Sequence, residues 1–289
     1  MLNTFIETHL RVLSEKLDQL IQEKPFMYHN PLFQAARYSL FSSGKRLRPL
    51  LLLATASAYE VALETSIHPA CALEMVHTYS LIHDDLPCMD DDDYRRGKPS
   101  LHKVFPEGHA LLTGNYLLTY AFQLLCESPS LTDKQKLKLI NILSKSSGSE
   151  GMIGGQVVDL ATEGKKIDWE TLEFMHLGKT AALIIAALEM GGVIGDAPKK
   201  DMLTLRAAGK YLGLAFQIQD DLDDSKEMKS SDLKKRKATA PTFLGAKKSK
   251  SLADQFFASA FKSLDSLSRP APLLYELAKT LARKDPITT

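Results

Sequence analysis

The chain has 289 residues, of which 44% are hydrophobic and 25% are charged, so it is long enough to bury a core and has the composition of a globular protein. Lys and Arg total 36 and Asp and Glu total 35, which leaves a net charge of +1. This balance gives no overall signal for binding to nucleic acid or to a membrane surface. The odd number and wide spacing of Cys71, Cys88 and Cys126 predict free thiols in a reducing compartment.

The N-terminal segment, residues 1–20, has apolar residues at three- and four-residue steps with charges between them, as in Leu10, Leu13 and Leu17. This spacing predicts an amphipathic helix. The segment lacks the uninterrupted apolar run of a signal peptide or a membrane span. We therefore expect a cytoplasmic protein without a membrane span.

The helical spacing continues along the chain, with short breaks that contain glycine or proline. No run of alternating β-branched residues occurs, and no break is long enough to link two domains. We therefore predict one all-α domain over residues 1–289. The predicted helices cover residues 49–60, 69–83, 110–126, 134–146, 169–177, 180–190, 203–221, 251–267 and 272–283, and the predicted breaks include 42–44, 97–99, 106–108, 191–192 and 195–198.

Two acidic clusters, DDLPCMDDDD and DDLDD, each follow a strongly apolar predicted helix. Positions i and i+4 of a helix share a face, so Asp220 and Asp224 can aim at one point. Asp84 and Asp90 are six positions apart, and Pro87 bends the path between them, so they can converge through a distorted helix end.

Carboxylates packed this closely repel each other, and a hard divalent cation is the usual compensation. Magnesium prefers oxygen ligands and is commonly shared with substrate phosphates. Two carboxylate sets that face each other across a cavity would therefore hold magnesium ions that bind a diphosphate. A single acidic cluster is often only a solvated surface loop, but two clusters after apolar helices favour a metal site.

Basic residues complete this pattern. Lys45, Arg46 and Arg48 lie just before a predicted buried helix, whose start favours anions. Arg95 and Arg96 follow the first acidic cluster, and arginine binds phosphate through paired hydrogen bonds. Each of these residues alone is more often a solvated surface group. Together they predict a second anion site beside the metal-bound one.

The same segments resemble the short-chain trans-prenyl diphosphate synthases, and the bacterial farnesyl diphosphate synthase type in particular. The segment GKRLRP resembles the part of the family that binds isopentenyl diphosphate, and SLIHDDLPCMDDDDYRRGKPS and FQIQDDLDD resemble its two aspartate-rich motifs. GGQVVDL at residues 154–160 and GKT at residues 178–180 also match. The resemblance extends from Gly44 to Gly245 and is weaker beyond.

The resemblance implies an antiparallel helical bundle around a deep central cavity, known as the isoprenoid synthase fold, and a homodimer. It implies that dimethylallyl or geranyl diphosphate is condensed with isopentenyl diphosphate, with three magnesium ions per active site. The implied magnesium ligands are Asp84, Asp90, Asp220 and Asp224. The implied contacts to the allylic diphosphate are Arg95 and Lys179, and those to isopentenyl diphosphate are Lys45, Arg48, His77 and Arg96. Further implied substrate contacts are Thr180, Gln217 and Lys237, of which Gln217 lies near the reacting chains.

Tyr79 bears on the length of the product. It lies five residues before Asp84, just over one helical turn deeper on the same predicted helix. In the family, an aromatic residue here is typical of synthases that stop at fifteen carbons, and a smaller residue is typical of those that continue to twenty. We therefore expect farnesyl diphosphate, with geranylgeranyl diphosphate as the alternative. A tyrosine on a buried helix can also be simply a core residue.

The segment after the second aspartate motif departs from the family pattern, which has a longer glycine-containing loop and two lysines. Lys237 matches the second lysine, whereas the first is Lys226 or Lys229 or is missing. The shortened loop, residues 225–236, leaves a non-catalytic or regulatory subunit as an alternative. The two intact aspartate motifs and the intact cations of the isopentenyl diphosphate segment argue against it.

Three smaller sequence features also bear on function. Asn115 stands where the family usually has aspartate, and Gly178 replaces the usual residue before Lys179. The basic run at residues 234–237 is short and lacks interleaved aromatic residues, so we expect no nucleic-acid partner.

Overall fold

Apolar residues at helical spacing produce a structure built almost entirely from helices. A computed structural model of the chain describes residues 2–227 and 238–283, and within those ranges the only strands form one short antiparallel pair. In chain order the elements are α1 Leu2–Leu20, α2 Asn30–Leu40, α3 Leu47–Ala58, α4 Leu63–Asp84, β1 Tyr94–Arg95, β2 Lys98–Pro99, α5 Leu101–Val104, α6 Glu107–Cys126, α7 Asp133–Ser147, α8 Met152–Thr162, α9 Trp169–Met175, a π-helical segment His176–Ala181, α10 Ala182–Ile194, α11 Lys199–Glu227, α12 Ala240–Leu244, α13 Ala246–Asp265 and α14 Pro272–Arg283.

Two helices, α4 and α10, form the centre of the core. Helix α10 packs against α3, α4, α7 and α11, and α4 packs in addition against α1, α3 and α6. Both helices are buried on nearly every side, which explains why their apolar residues show little preference for one face. Outer helices such as α1 and α14 bury one apolar face and expose the other side to water.

The predicted break at residues 191–192 is wrong, because α10 continues through it to Ile194. A Cβ atom at Gly191 would lie 2.6 Å from the Cβ atom of Thr55 and 2.7 Å from the carbonyl oxygen of Leu52. Glycine is therefore needed here for close packing of α10 against α3, not to end a helix. Sequence spacing alone does not distinguish these two uses of glycine.

Several other helix limits differ from the predicted ones. Helix α4 begins at Leu63, with Pro69 inside it, and α11 begins at Lys199 and continues past the second acidic cluster. The helices predicted separately at residues 169–177 and 180–190 belong to one continuous helical segment, Trp169–Ile194. Helix α14 begins at the predicted residue, Pro272.

The segment Trp169–Ile194 is the one helix among the described residues that is long and apolar enough to cross a membrane. Its most apolar stretch is 78% buried inside the protein. Packing in the core therefore accounts for its composition. The described thiols are all free: Cys71 is buried, and Cys88 and Cys126 are exposed.

Candidate active site

The first acidic cluster begins where α4 ends, at Asp84. The chain then turns back sharply, because the Leu86 amide donates to the His83 carbonyl at 3.1 Å and the Asp90 amide donates to the Asp84 carbonyl at 2.8 Å. The backbones of Asp84 and Asp90 are thus adjacent, although six positions separate them along the chain. This turn places two carboxylate-bearing residues at one end of α4.

Asp85, the second residue of this cluster, is buried rather than presented to solvent. Arg95 donates from Nε to Asp85 Oδ1 at 2.8 Å, makes a second contact to the same oxygen through Nη2, and reaches Asp92 at 3.4 Å. Burial raises the pKa of Asp85, and the Arg95 guanidinium opposes that rise. The implied contact of Arg95 with an allylic diphosphate stays a prediction, since its guanidinium is engaged by these carboxylates here.

The four residues expected to hold isopentenyl diphosphate lie around one cavity of about 490 Å³, which we call the basic cavity. The hairpin β1–β2 brings Arg96 to the loop before α3, where its guanidinium donates to the Ser43 carbonyl at 2.9 Å. Two segments separated in sequence therefore supply one group of cations. The cavity is lined by Lys45, Arg48, His77 and Arg96, together with Glu74, Phe216 and Asp220.

His77 contributes hydrogen bonding rather than charge to the basic cavity. Its Nε2 lies 3.2 Å from Arg48 Nη1, and a guanidinium can only donate, so Nε2 is the acceptor and the ring is neutral. Burial, and then the nearby arginines, hold the pKa of His77 well below its usual range. Burial also lowers the pKa of Arg48, to about 10, so Arg48 stays charged at neutral pH.

A second cavity, of about 200 Å³, lies beside the π-helical segment, and we call it the π cavity. A π turn carries an extra residue and is frequent at functional sites. Here it directs Lys179 Nζ to Asp159 Oδ2 at 2.7 Å and the Thr180 hydroxyl to Gln217 Oε1. The cavity is lined by Asp159, Met175, His176, Lys179, Thr180, Gln217, Asp221, Asp224, Ala238 and Thr239.

The second acidic cluster divides between the two cavities. Asp220 lines the basic cavity, whereas Asp221 and Asp224 line the π cavity. Asp221 is only 6% exposed; its Oδ1 accepts from Gln217 Nε2 at 2.8 Å, and its Oδ2 accepts from the Ala240 amide at 2.8 Å. Asp220 and Asp224 are one turn apart on the same face of α11 and border different cavities, so the expectation that they aim at one point stays a prediction.

The carboxylates present fit a divalent cation bound together with a substrate. Among the described residues, no group of three or more His, Cys, Asp or Glu side chains is arranged to hold a metal by itself. Asp84, Asp90, Asp220 and Asp224 supply only oxygen donors, which suit magnesium, and magnesium commonly completes its coordination with water and substrate phosphates. The donor set is therefore that of a shared metal–diphosphate site.

Tyr79 is 4% exposed on α4 and packs edge-on against His83, with ring centroids 5.6 Å apart. Its hydroxyl group is buried and has no hydrogen-bond partner within residues 2–227 and 238–283. A buried hydroxyl that makes no hydrogen bond provides no stabilising contact. The feature of Tyr79 that a smaller residue would lack is therefore the bulk of its ring.

Sequence reasoning missed four residues of these cavities: Glu74, Asp159, His176 and Asp221 as a buried acceptor. Asp159 lies in the segment GGQVVDL that was matched to the family, and Glu74 precedes His77 by about one helical turn. His176 Nε2 lies 3.3 Å from Asp221 Oδ2.

Lys229 and Lys237 lie outside the described residues, as do most of the shortened loop and the side chain of Lys226.

The packing of α8 against the π-helical segment predicts a strong effect of one added methyl group. A Cβ atom at Gly155 would lie 2.4 Å from the Lys179 backbone nitrogen and 3.0 Å from the Gly178 carbonyl carbon. We expect Gly155→Ala to lower the free energy of unfolding by about 1–3 kcal/mol, measured by thermal or denaturant unfolding. Gly108→Ala is the matched control, because a Cβ atom there meets no described residue within 4 Å. Equal stability of the two variants would contradict the close contact.

Comparisons with known proteins agree with this geometry. The model of the polyprenyl synthetase family matches residues 29–269. The chain is 41% identical to farnesyl diphosphate synthase of Bacillus subtilis, over 97% of this chain and 95% of that protein. It is 40% identical to geranylgeranyl pyrophosphate synthase 7 of Arabidopsis thaliana, over 94% of this chain and 81% of that protein.

Among solved structures, the chain is similar to an FPP/GFPP synthase from Zymomonas mobilis. The TM-score is 0.88 at 36% identity, and the match covers 99% of both chains. This likeness confirms the all-α isoprenoid synthase fold that the motifs implied. Because the family model covers most of the chain and the two named relatives match it over at least four fifths of their own lengths, this protein belongs to the polyprenyl synthetase family.

Proposed function

We propose that this protein is a prenyltransferase that condenses dimethylallyl or geranyl diphosphate with isopentenyl diphosphate and makes mainly farnesyl diphosphate. The observation that carries the proposal is the basic cavity, where Lys45, Arg48 and Arg96 lie beside Asp220. A cationic pocket next to carboxylates can hold one diphosphate directly and another through a metal. The named relatives, which include farnesyl diphosphate synthase of Bacillus subtilis, support the same activity.

In this proposal, the bond between the allylic carbon and its diphosphate oxygen breaks, and negative charge grows on the leaving group. Lys179 and Arg95 would lie against that charge and stabilise it. The allylic carbocation forms a carbon–carbon bond with the isopentenyl double bond, and a proton then leaves the product, with the departing diphosphate as its acceptor. Thr180 and Gln217 would orient their dipoles toward the cation, and the surrounding apolar helices would exclude water.

We propose three magnesium ions per active site. Asp84 and Asp90 would hold metal on the α4 side, and Asp220 and Asp224 would hold it on the α11 side. Bound magnesium supplies positive charge that neutralises the diphosphate leaving group. The all-oxygen donor set supports this choice of metal.

Product analysis tests the proposed function. Purified protein is incubated with magnesium, labelled isopentenyl diphosphate and either dimethylallyl or geranyl diphosphate. The expected result is a fifteen-carbon product that a chelator abolishes. A main product of twenty carbons would replace the farnesyl assignment with a geranylgeranyl one. No product from folded protein with bound substrate would favour the non-catalytic alternative.

The bulk of Tyr79 should limit the length of the product. Removing the ring in Tyr79→Ala opens space one helical turn below Asp84, so we expect a shift from fifteen to twenty or more carbons, measured by chromatography of the dephosphorylated products. Tyr79→Phe is the matched control, and it should keep the fifteen-carbon product because the hydroxyl group makes no hydrogen bond to the part of the chain that the structure describes. An unchanged length in Tyr79→Ala would remove Tyr79 as the floor of the pocket.

We further propose that residues 1–289 form one domain, that two copies form a homodimer, and that the protein is cytoplasmic. The family resemblance supports the dimer, as do the exposed apolar side chains of Leu111 and Leu112 on α6, which are 44% and 56% exposed. Light scattering should give twice the chain mass of 32.0 kDa. A monomer mass at micromolar concentration would contradict the dimer.

A further inference from the structure

Three of the four residues at positions 45–48, around the start of α3, are cationic: Lys45, Arg46 and Arg48. They do not share one role. Arg46 borders the basic cavity, yet its guanidinium is bound by the protein itself. Its Nη1 lies 2.6 Å from Glu74 Oε1, and its Nη2 donates to the carbonyls of Ser42, at 3.0 Å, and Leu40. The side chains of Arg46 and Glu74 are only 11% and 2% exposed. Arg46 is therefore a buried anchor, while Lys45 is exposed.

The backbone at this point is strained and needs that anchor. Arg46 has a φ angle of +46°, in the left-handed region that side chains rarely adopt, and it is the residue that precedes α3. Such a conformation persists where surrounding contacts hold it. The contacts of Arg46 join the end of α2, the loop and α4, so they hold the turn that separates Lys45 from Arg48.

Glu74 lies in a pocket where an uncompensated negative charge would repel a diphosphate. It lines the basic cavity, and its Oε2 is buried without a hydrogen-bond partner among the described residues. The 2.6 Å contact with Arg46 offsets its charge. Glu74 also lies about one turn before His77 on α4, so it joins the loop to the helix that carries the Arg48–His77 contact.

We propose that Glu74 and Arg46 are a positioning pair for isopentenyl diphosphate. Neither residue touches the substrate. The pair holds the left-handed turn that presents Lys45 and Arg48 to the diphosphate. This inference rests on the proposed function, because it assigns the basic cavity to isopentenyl diphosphate.

Glu74→Gln tests the pair with almost no change in size. The amide keeps an acceptor oxygen but removes the charge, so Arg46 is left buried without its counter-ion. We expect the KM and the calorimetric Kd for isopentenyl diphosphate to rise by about tenfold, the scale of one charge-assisted contact. The KM for geranyl diphosphate and kcat at saturation should stay within about twofold. Glu60→Gln is the control, because Glu60 pairs with Arg269 at the surface, at 3.1 Å and with 83% of its side chain exposed.

A second variant separates positioning from folding. In Arg46→Met/Glu74→Met, both charges are replaced by apolar side chains, which commonly restores the stability lost by breaking a buried pair. We expect the Tm to recover while the Kd for isopentenyl diphosphate stays raised. Recovery of both would overturn the proposal and leave the pair a purely structural contact, as would an equal rise of both KM values in Glu74→Gln. Calorimetry does not require turnover, so a wild-type protein that binds isopentenyl diphosphate but makes no product would refute the proposed activity and not the pair.

Discussion

Replacing Asp84 with asparagine should lower kcat by a factor on the order of 10²–10³, the usual effect of removing one electrostatic contact to the developing charge. The side chain keeps its size, so the helix end and the turn that joins the Asp90 amide to the Asp84 carbonyl should survive. What is lost is one anionic oxygen donor for a divalent cation. Steady-state assays at several magnesium concentrations measure the effect, and the magnesium requirement should rise.

Asp93→Asn is the matched control from the same acidic run. Asp93 is exposed and pairs with Lys103 at 2.7 Å on the protein surface, and its pKa is lowered chiefly by that hydrogen bond. We expect its kcat to stay within about twofold of wild type, since an exposed pair contributes little. Similar losses in both variants would mean that the run acts through its total charge, and the assignment of Asp84 as a ligand would fail.

Asp221→Asn should reduce both stability and turnover. Asp221 can only accept, so it fixes the Gln217 amide with its nitrogen toward Asp221 and its oxygen toward Thr180. An asparagine offers one acceptor and one donor, so either Gln217 or the Ala240 amide loses its partner in a buried position. We expect a loss of about 1–3 kcal/mol in the free energy of unfolding. A turned Gln217 amide would also lower kcat, by about tenfold or more.

Thermal unfolding and steady-state kinetics measure the two effects of Asp221→Asn together. Asp254→Asn is the control, because Asp254 is an exposed residue of α13. Its Oδ1 lies 3.5 Å from Lys250 Nζ at the surface, and such exposed pairs contribute little to stability. A normal Tm with reduced kcat would assign Asp221 to the orientation of Gln217 alone. An unchanged kcat in a destabilised protein would refute the orienting role.

Much of the fold was predictable, because a helical period in apolar residues is a local property of the chain. The all-α class and the start of α14 follow directly from that period. The errors cluster at glycines and prolines. Gly191 permits close packing with Thr55 instead of ending a helix, and Pro69 is accommodated inside α4. The π-helical segment was not predictable, because its extra residue has no distinct composition.

Residue type and spacing are enough to predict the helical class, the two acidic clusters and the basic segment beside them. The roles of adjacent residues, in contrast, depend on how the helices pack. Asp220 lines the basic cavity while Asp221 is a buried acceptor, and Lys45 is exposed while Arg46 is bound to Glu74. Neighbours in sequence point in different directions from a helix or a turn, and the elements packed around them determine which charge is buried and paired. Those elements come from distant parts of the chain, so a local sequence pattern does not predict which of them will pack against a given residue.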